Sequence, residues 1–450
     1  MIFSFIKYTQ PGWYFNLIPL IKKDIPTCYY HPHLMQLPPR EEIALDINYQ
    51  TVSAQYADAG YRLWHKGILL HCDEQVITEI QALPRPSVQD EYRFIAKYWG
   101  TKWIILIFLI RFWFFKNPFK EVVGFLKAYA IKKVNLYEQI NSWDDYHSFH
   151  SNLIDSNPFV SVVIPTLNRY QYLKDVLIDL ENQSFQNFEV IIIDQSDNFN
   201  SNFYKPFKLN LNIVHQKEKL LWTARNFAVT ESKSPYLLFF DDDSRVEPDW
   251  IKHHLKCLDF FNADISAGVS ISVVGGKIPK NYDFFRWADQ FDSGNAMVKR
   301  SVFEKIGLFD LQFNKQSMGD GEFGLRAYLN GCISISNPYS KRVHLKVSAG
   351  GLREIGHWDG FRPKKLFAPK PVPSVIYLYK KYFSKKLYRS VILSGIALSN
   401  IPYRIKGNTI ALLVSIFLAI PKLPLLIFQF RKSLSIANKM LEEGDKIQWL

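Results

Sequence analysis

Between residues 159 and 346, apolar runs of strand length alternate with stretches whose apolar positions recur at helical spacing. Val160–Pro165 is a β-branched run ending in proline, and Tyr172–Leu180 has helical periodicity, which predicts strand, loop and helix in turn. Phe188–Asp194 reads as a second buried strand closing on a carboxylate, and Asn212–His215 as a third. Leu220–Ser232 reads as a helix and Tyr236–Phe240 as a strand, and Asp241, Asp242 and Asp243 follow without a gap. A helix over Pro248–Phe261 and an apolar strand after Gly331, leading to His344, complete the alternation. Such a pattern predicts an α/β fold, a mostly parallel sheet flanked by helices. Ligands of these sheets bind beyond the carboxyl ends of the strands, where Thr166, Asp194 and the three aspartates all fall.

The flanks carry different patterns. Residues 1–157 mix helical and extended stretches broken by prolines at 38–39 and 84–86, and no fold can be named for them. Residues 158–350 form the expected α/β domain, and 351–450 turn basic, then helical and apolar. Trp103–Phe115 is a thirteen-residue apolar stretch broken by Arg111; Ile410–Ile420 is an eleven-residue one followed by Pro421, Lys422 and Pro424. Both fall short of the roughly 20 residues a bilayer span needs and read as buried helices or segments lying in an interface. The first residues lack a basic region, an unbroken apolar run and a small-residue cleavage site. No leader is therefore expected, and the protein is placed in the cytoplasm, peripheral on the inner face of a membrane.

Composition is ordinary for a globular protein, 48% hydrophobic and 22% charged, which excludes a disordered or collagen-like chain. Lys plus Arg outnumber Asp plus Glu by 55 to 42, a net charge of +13 that argues for anionic partners. The excess concentrates between Lys341 and Arg389, where 13 cations face only Glu354 and Asp359 and are interleaved with Tyr377, Tyr379, Tyr382, Phe383 and Tyr388. That mixture suits an anionic membrane surface, where cations meet headgroups and amphipathic rings sit at the boundary. A solvated helix face is the plainer reading. No nucleic-acid recognition motif is present, so nucleic acid is not expected as a partner. Cys28, Cys72, Cys257 and Cys332 are widely spaced, which gives a zinc module or a disulfide framework no support and suits a reducing compartment.

Three adjacent carboxylates at a strand end need a physical reason. Two like charges about 4 Å apart repel by about 4 kcal/mol at an effective dielectric near 20, so the cluster must be solvated, protonated or bound to a cation. A divalent metal resolves it, because Mg²⁺ and Mn²⁺ take oxygen ligands and join carboxylates to substrate phosphates. The alternative is a solvated acidic turn in which Asp243 caps the helix at Pro248–Phe261.

Several motifs occur in order: Val-Ile-Pro-Thr-Leu-Asn-Arg (163–169), Phe-Glu-Val-Ile-Ile-Ile-Asp (188–194), Ala-Arg-Asn (224–226) and Phe-Phe-Asp-Asp-Asp-Ser (239–244). Pro-Asp-Trp (248–250), Gly-Asn-Ala-Met-Val (294–298) and Gly-Asp-Gly-Glu-Phe-Gly-Leu-Arg (319–326) follow. Together, over about two fifths of the chain, they resemble the family 2 glycosyltransferases of the GT-A fold. The resemblance implies a hexosyltransferase-like enzyme that moves a sugar from a nucleotide-diphosphate donor to a glycan or lipid-linked acceptor in polysaccharide synthesis, with Mg²⁺ or Mn²⁺ as cofactor. It implies Asp194 facing the nucleotide base, with Pro165, Thr166 and Arg225 nearby, and Asp242 on the donor side. Asp241 and Asp243 match the DxD element that touches ribose and holds the metal, His344 resembles a histidine near the metal or diphosphate, and Asp320 matches the general base. Asn295 and Glu322 are placed on the acceptor or phosphate side.

One base and one metal suffice for a single in-line displacement, so inversion at the anomeric carbon is expected. Two positions depart from the family pattern: residue 195 is Gln where a second Asp is common, and residue 319 is Gly where an acid often precedes the base. Gly350 and Gly351 allow unusual backbone angles beside Lys346 and Arg353, giving either a cationic loop that closes over a diphosphate or a surface loop with stray charges. Gly319–Gly324 also satisfies GxGxxG, but no buried strand precedes it, so a dinucleotide site is not expected there. Two other functions stay open: a catalytically silent nucleotide-sugar-binding scaffold at a membrane, against which the intact aspartates speak, and a sugar-phosphate nucleotidyltransferase. The latter would be expected to carry a Gly-rich, Arg- or Lys-bearing phosphate loop where Pro165–Arg169 stands.

Overall fold

The computed structural model describes residues 2–20, 24–35, 37, 43–273, 278–347, 350–352, 360–363, 365–399 and 420–450. The chain divides into two compact units. The first comprises Met1–Phe149, Pro279–Asp289 and Ala327–Pro338; the second comprises His150–Ile278, Gln290–Arg326 and Tyr339–Leu450. The divisions expected near 157 and 350 therefore shift. Among the described residues, the C-terminal ones are tied into the second unit: Tyr377 donates to Asp310, and Gln312 donates to the carbonyls of Met440 and Gly444.

The first unit is mainly helical. Its helix Val52–His65 starts where the Thr51 side chain accepts from the Ala54 N–H, and Val88–Trp99 starts in a capping box of Ser87 and Asp90. A short antiparallel ribbon pairs Ile25–Thr27 with Leu70–Cys72, and Ile25, Leu63, Ile68, Leu70 and Val76 share one core. Asp58, fully buried here, is satisfied by Lys97, Arg62, Tyr49 and Tyr98. The apolar stretch read at Trp103–Phe115 becomes the helix Thr101–Trp113, in which Ile104 and Ile107 alone are buried.

The second unit carries the alternating pattern. Its strands are β1 (Val160–Thr166), β2 (Phe188–Asp194), β3 (Leu211–His215), β4 (Tyr236–Phe240), β5 (Ser244–Val246), β6 (Ile265–Ser272), β7 (Asn295–Lys299) and, from Tyr339 onward, β8 (Ser334–His344). They run in the order β3-β2-β1-β4-β7-β6-β8-β5. The first four are parallel, in a register that sets Thr166 beside Asp194. β7 pairs antiparallel with both β4 and β6, and β8 pairs antiparallel with β5, so the sheet is mixed. Val162, Ile164, Ile191, Leu238 and Phe239 are fully buried, as the continuous apolar runs of strands covered on both faces require. Around the sheet lie α1 (Tyr170–Glu181), α2 (Leu221–Glu231), α3 (Trp250–Phe260), α4 (Gly319–Leu329), α5 (Pro373–Tyr382) and α6 (Leu423–Glu443).

The strand directions decide which residues meet. Parallel β1, β2 and β4 bring their carboxyl ends to one edge, with Thr166, Asp194 and Asp241–Asp243 on it. Because β7 is antiparallel and Asn295 lies opposite Phe240, the residues just before it, Asp292–Gly294, reach that same edge. His344 lies opposite Ser244 across the β8–β5 pair, with Arg342 two residues back on the same face. None of the described helices is long and apolar enough to cross a membrane. Residues 410–419 lie outside the described ones.

Candidate active site

Each of the three aspartates after β4 faces a guanidinium. Asp241 accepts from Arg225 Nη2 at 2.9 Å and from Arg342 Nη1 at 2.8 Å. Asp242 accepts from Thr166 Oγ1 at 2.8 Å and from Arg169 Nη1 at 2.9 Å. Asp243 lies 3.2 Å from Arg169 Nη1 and 3.2 Å from His344 Nε2. Asp242 and Asp243 are buried, and the first turn of α3 receives no side-chain cap, so the solvated-turn and helix-cap readings fall away. Side-chain cations already offset much of the repulsion that the sequence suggested a metal must resolve.

The environments differ in consequence. Burial pushes the Asp242 carboxyl up to about 6, against the pull of Arg169 and Thr166. Burial also works against the charge of Asp243, but the bond from His344 and the nearby Arg169 outweigh it and hold that carboxyl below its usual range. Arg342 is buried, yet its protonated form is strengthened by Asp292 and Asp241. It also binds Ser270 and Ser244.

Oxygen and nitrogen donors of Asp241, Asp243 and His344 all lie within 4.8 Å of one another. Two carboxylates and an imidazole form a donor set that fits Mg²⁺ or, with its greater tolerance of nitrogen, Mn²⁺. Asp241 and His344 keep part of their surface accessible, which leaves room for further ligands.

Asp320, the second residue of α4, accepts at one oxygen from both the backbone N–H and the hydroxyl of Ser293. The same hydroxyl accepts from Arg225 Nη1 at 2.5 Å. Asp320, Ser293, Arg225 and Asp241 thus form one chain of contacts, continued by Arg342 to Asp292. Gly294 makes this possible: a Cβ there would collide with the Asp241 carboxylate and the Arg342 guanidinium.

Asp194 is fully buried and accepts from Tyr170 Oη at 2.6 Å, Tyr204 Oη at 2.8 Å and the Ser196 N–H at 2.9 Å. Burial and the adjacent carboxylate both push these tyrosines above their ordinary range. Gln195, in the position of a common second Asp, donates to Gln216 and accepts from the Leu220 N–H, so it ties β2 to the start of α2. Pro165 sits in β1 opposite Ile193.

Two expected site residues are spent elsewhere. Asn295, expected on the acceptor side, lies in the core: it donates to the carbonyls of Val269 and Ser340 and accepts from Trp250 Nε1. Glu322, one helical step beyond Asp320, is buried in a bidentate pair with Arg326 and accepts from Tyr382 Oη. Lys346 is exposed with a positive φ of 53°, and Arg353 lies outside the described residues. Arg169, Tyr170, Tyr204, Asp292, Ser293 and Arg342 were not singled out by the sequence. Of these, Arg169 closes the first motif, and Arg342 precedes His344 by the two-residue period that puts both on one strand face.

The acidic cluster braced by arginines stands at the carboxyl edge of a mixed α/β sheet, where ligands of such sheets bind. The family described as Glycosyl transferase family 2 matches residues 161–316, and the chain carries a glycosyltransferase domain of that family. The chain is 25% identical to chondroitin synthase of Escherichia coli over 223 residues, 38% of this chain and 32% of that protein. It is 26% identical to glycosyltransferase GlyA of Streptococcus pneumoniae over 237 residues, 51% of this chain and 30% of that protein. The aligned part thus spans about a third of either relative's length. A crystal structure of S. aureus TarS 1–349 in complex with UDP-GlcNAc aligns with a TM-score of 0.44 and 17% identity, covering 62% of this chain and 81% of that one.

Proposed function

We propose that the protein is an inverting, divalent-cation-dependent glycosyltransferase that passes a sugar from a nucleotide-diphosphate donor to a glycan or lipid-linked acceptor, peripherally at an anionic membrane surface. The observation that carries this reading is the chain of contacts from Asp241, after β4, through Arg225 and Ser293 to Asp320, at the start of α4. It couples the residue pair needed at the diphosphate to the residue needed at the acceptor.

Asp320 takes the proton of the acceptor hydroxyl at its carboxylate, while Ser293 fixes one oxygen and so orients the group. Asp194 reads the nucleotide base, its orientation set by Tyr170, Tyr204 and the Ser196 backbone. Asp241, Asp243 and His344 would hold the cation, whose charge stabilises the negative charge developing on the leaving diphosphate. Arg225 and Arg342 hold Asp241 from two sides, at 2.9 and 2.8 Å, and so fix its orientation. Arg169, bound to both Asp242 and the carbonyl of Val347, links the acidic cluster to the segment bearing Lys346.

The test is a screen of nucleotide-sugar donors with purified protein and Mn²⁺, reading nucleoside diphosphate release and the anomeric configuration of the product. The expected result is release with one donor class and an inverted product. Retained configuration would overturn the one-base mechanism.

A further inference from the structure

We propose that the helix pair Thr101–Trp113 and Pro118–Tyr129 of the first unit is a docking element that inserts shallowly into an anionic lipid surface. Twelve of the 29 large apolar side chains exposed among the described residues fall between 105 and 129. Such a concentration marks an interaction surface, whereas single exposed apolar residues are ordinary. The turn between the helices is its tip: Trp113 is 79% exposed, Phe114 67%, Phe115 95% and Phe119 82%.

The pair is built for a medium of low polarity. Its one acid, Glu121, is buried and takes a bidentate bond from Arg111 across the two helices, and it also accepts from Tyr92 Oη. The polar contact that locks the hairpin is therefore turned inward, and the outward face is left apolar. The turn backbone is largely satisfied: Phe114, Phe115 and Lys116 donate to carbonyls of the preceding helix, and the Asn117 side chain caps the next.

Charge chooses the occupant. Between 101 and 133 the only acid is the buried Glu121, while Lys102, Lys116, Lys120, Lys127, Lys132 and Lys133 all stand exposed. Exposed rings flanked by lysines on long stems match a headgroup boundary, where rings enter the acyl region and ammonium groups stay with phosphate. A second copy of the same basic face would meet that charge with repulsion, and an uncharged protein groove would leave it unpaired.

The experiment uses the full chain and sedimentation with vesicles of phosphatidylcholine, alone or mixed with phosphatidylglycerol. Wild type is expected to pellet with the mixed vesicles and to be released by salt. The triple variant Phe114→Ser, Phe115→Ser, Phe119→Ser is expected to lose at least about tenfold in vesicle affinity, since each ring carries about 150–250 Å² of surface. Lys116→Glu with Lys120→Glu should remove the preference for the anionic lipid. All four native cysteines are buried, so Phe115→Cys can carry an environment-sensitive fluorophore, with Lys233→Cys as control. This second readout holds even if the triple variant misfolds, and only the label at 115 should shift to the blue on vesicle binding. An unshifted label, vesicle binding equal to wild type in a folded triple variant, or a dimer that this variant dissolves would each overturn the proposal. Donor turnover without vesicles reports the transferase chemistry separately.

Discussion

At the scale of single residues, the difference between Asp320 and Glu322 separates chemistry from structure. Both carboxylates lie in the first turn of α4, and the family resemblance implied the general base for Asp320 and the acceptor or phosphate side for Glu322. Their partners differ: Asp320 is held at one oxygen by Ser293, while Glu322 is buried against Arg326 and Tyr382. Asp320→Asn is accordingly expected to lower kcat by about 10²–10⁴-fold with little change in donor KM, as loss of a general base does. Glu322→Gln should lower Tm, since removing one partner of a buried ion pair costs about 3–5 kcal/mol. Steady-state kinetics and thermal melts on both variants check the assignment; a Glu322→Gln enzyme that is stable but inactive would reverse it. The aspartates could be read from sequence because strand ends announce themselves. Their arginine and tyrosine partners could not, because Arg342 is about a hundred residues from Asp241 and meets it only through the sheet.

At the scale of elements, the parallel strands were legible because a strand buried on both faces writes a continuous apolar run. The reversed strand was not, since no local pattern states the direction of β7, and that direction is what brings Asp292–Gly294 to the site. Gly294 is the point where the geometry is tightest. Gly294→Ala is expected to displace Asp241 and Arg342, costing about 1–3 kcal/mol of stability and most of the turnover. Melting and kinetics of this one variant test both, and an Ala enzyme with native Tm and rate would show that the packing around the pair is slack. The basic and aromatic stretch at 377–388 shows the opposite failure. Its rings were expected at a membrane boundary, but Tyr377 and Phe383 are buried, and Tyr377 and Tyr382 bond to Asp310 and Glu322. Composition could not reveal that α5 turns these rings inward. Four consecutive exposed rings lie instead at 112–115, in the stretch Trp103–Phe115 that the sequence marked as apolar without stating which way it faced.

At the scale of the whole molecule, no fold could be read for residues 1–157, because helical and extended signals alternate there without a dominant period. The structure shows that this unit also recruits Pro279–Asp289 and Ala327–Pro338, a discontinuity that reading along the chain cannot detect. The second unit holds every residue of the proposed chemistry, and its central claim concerns Asp241, Asp243 and His344. Arginines already balance much of the acidic charge, so cation binding should be weak alone and strong once a diphosphate adds its own oxygens. The direct measurement is calorimetric titration of UDP and GDP into the protein with and without Mn²⁺, for wild type and Asp243→Asn. The account predicts that one of the two nucleotides binds at least about tenfold more tightly with Mn²⁺ and that Asp243→Asn abolishes the gain. Equal affinity with and without the cation in wild type would contradict it.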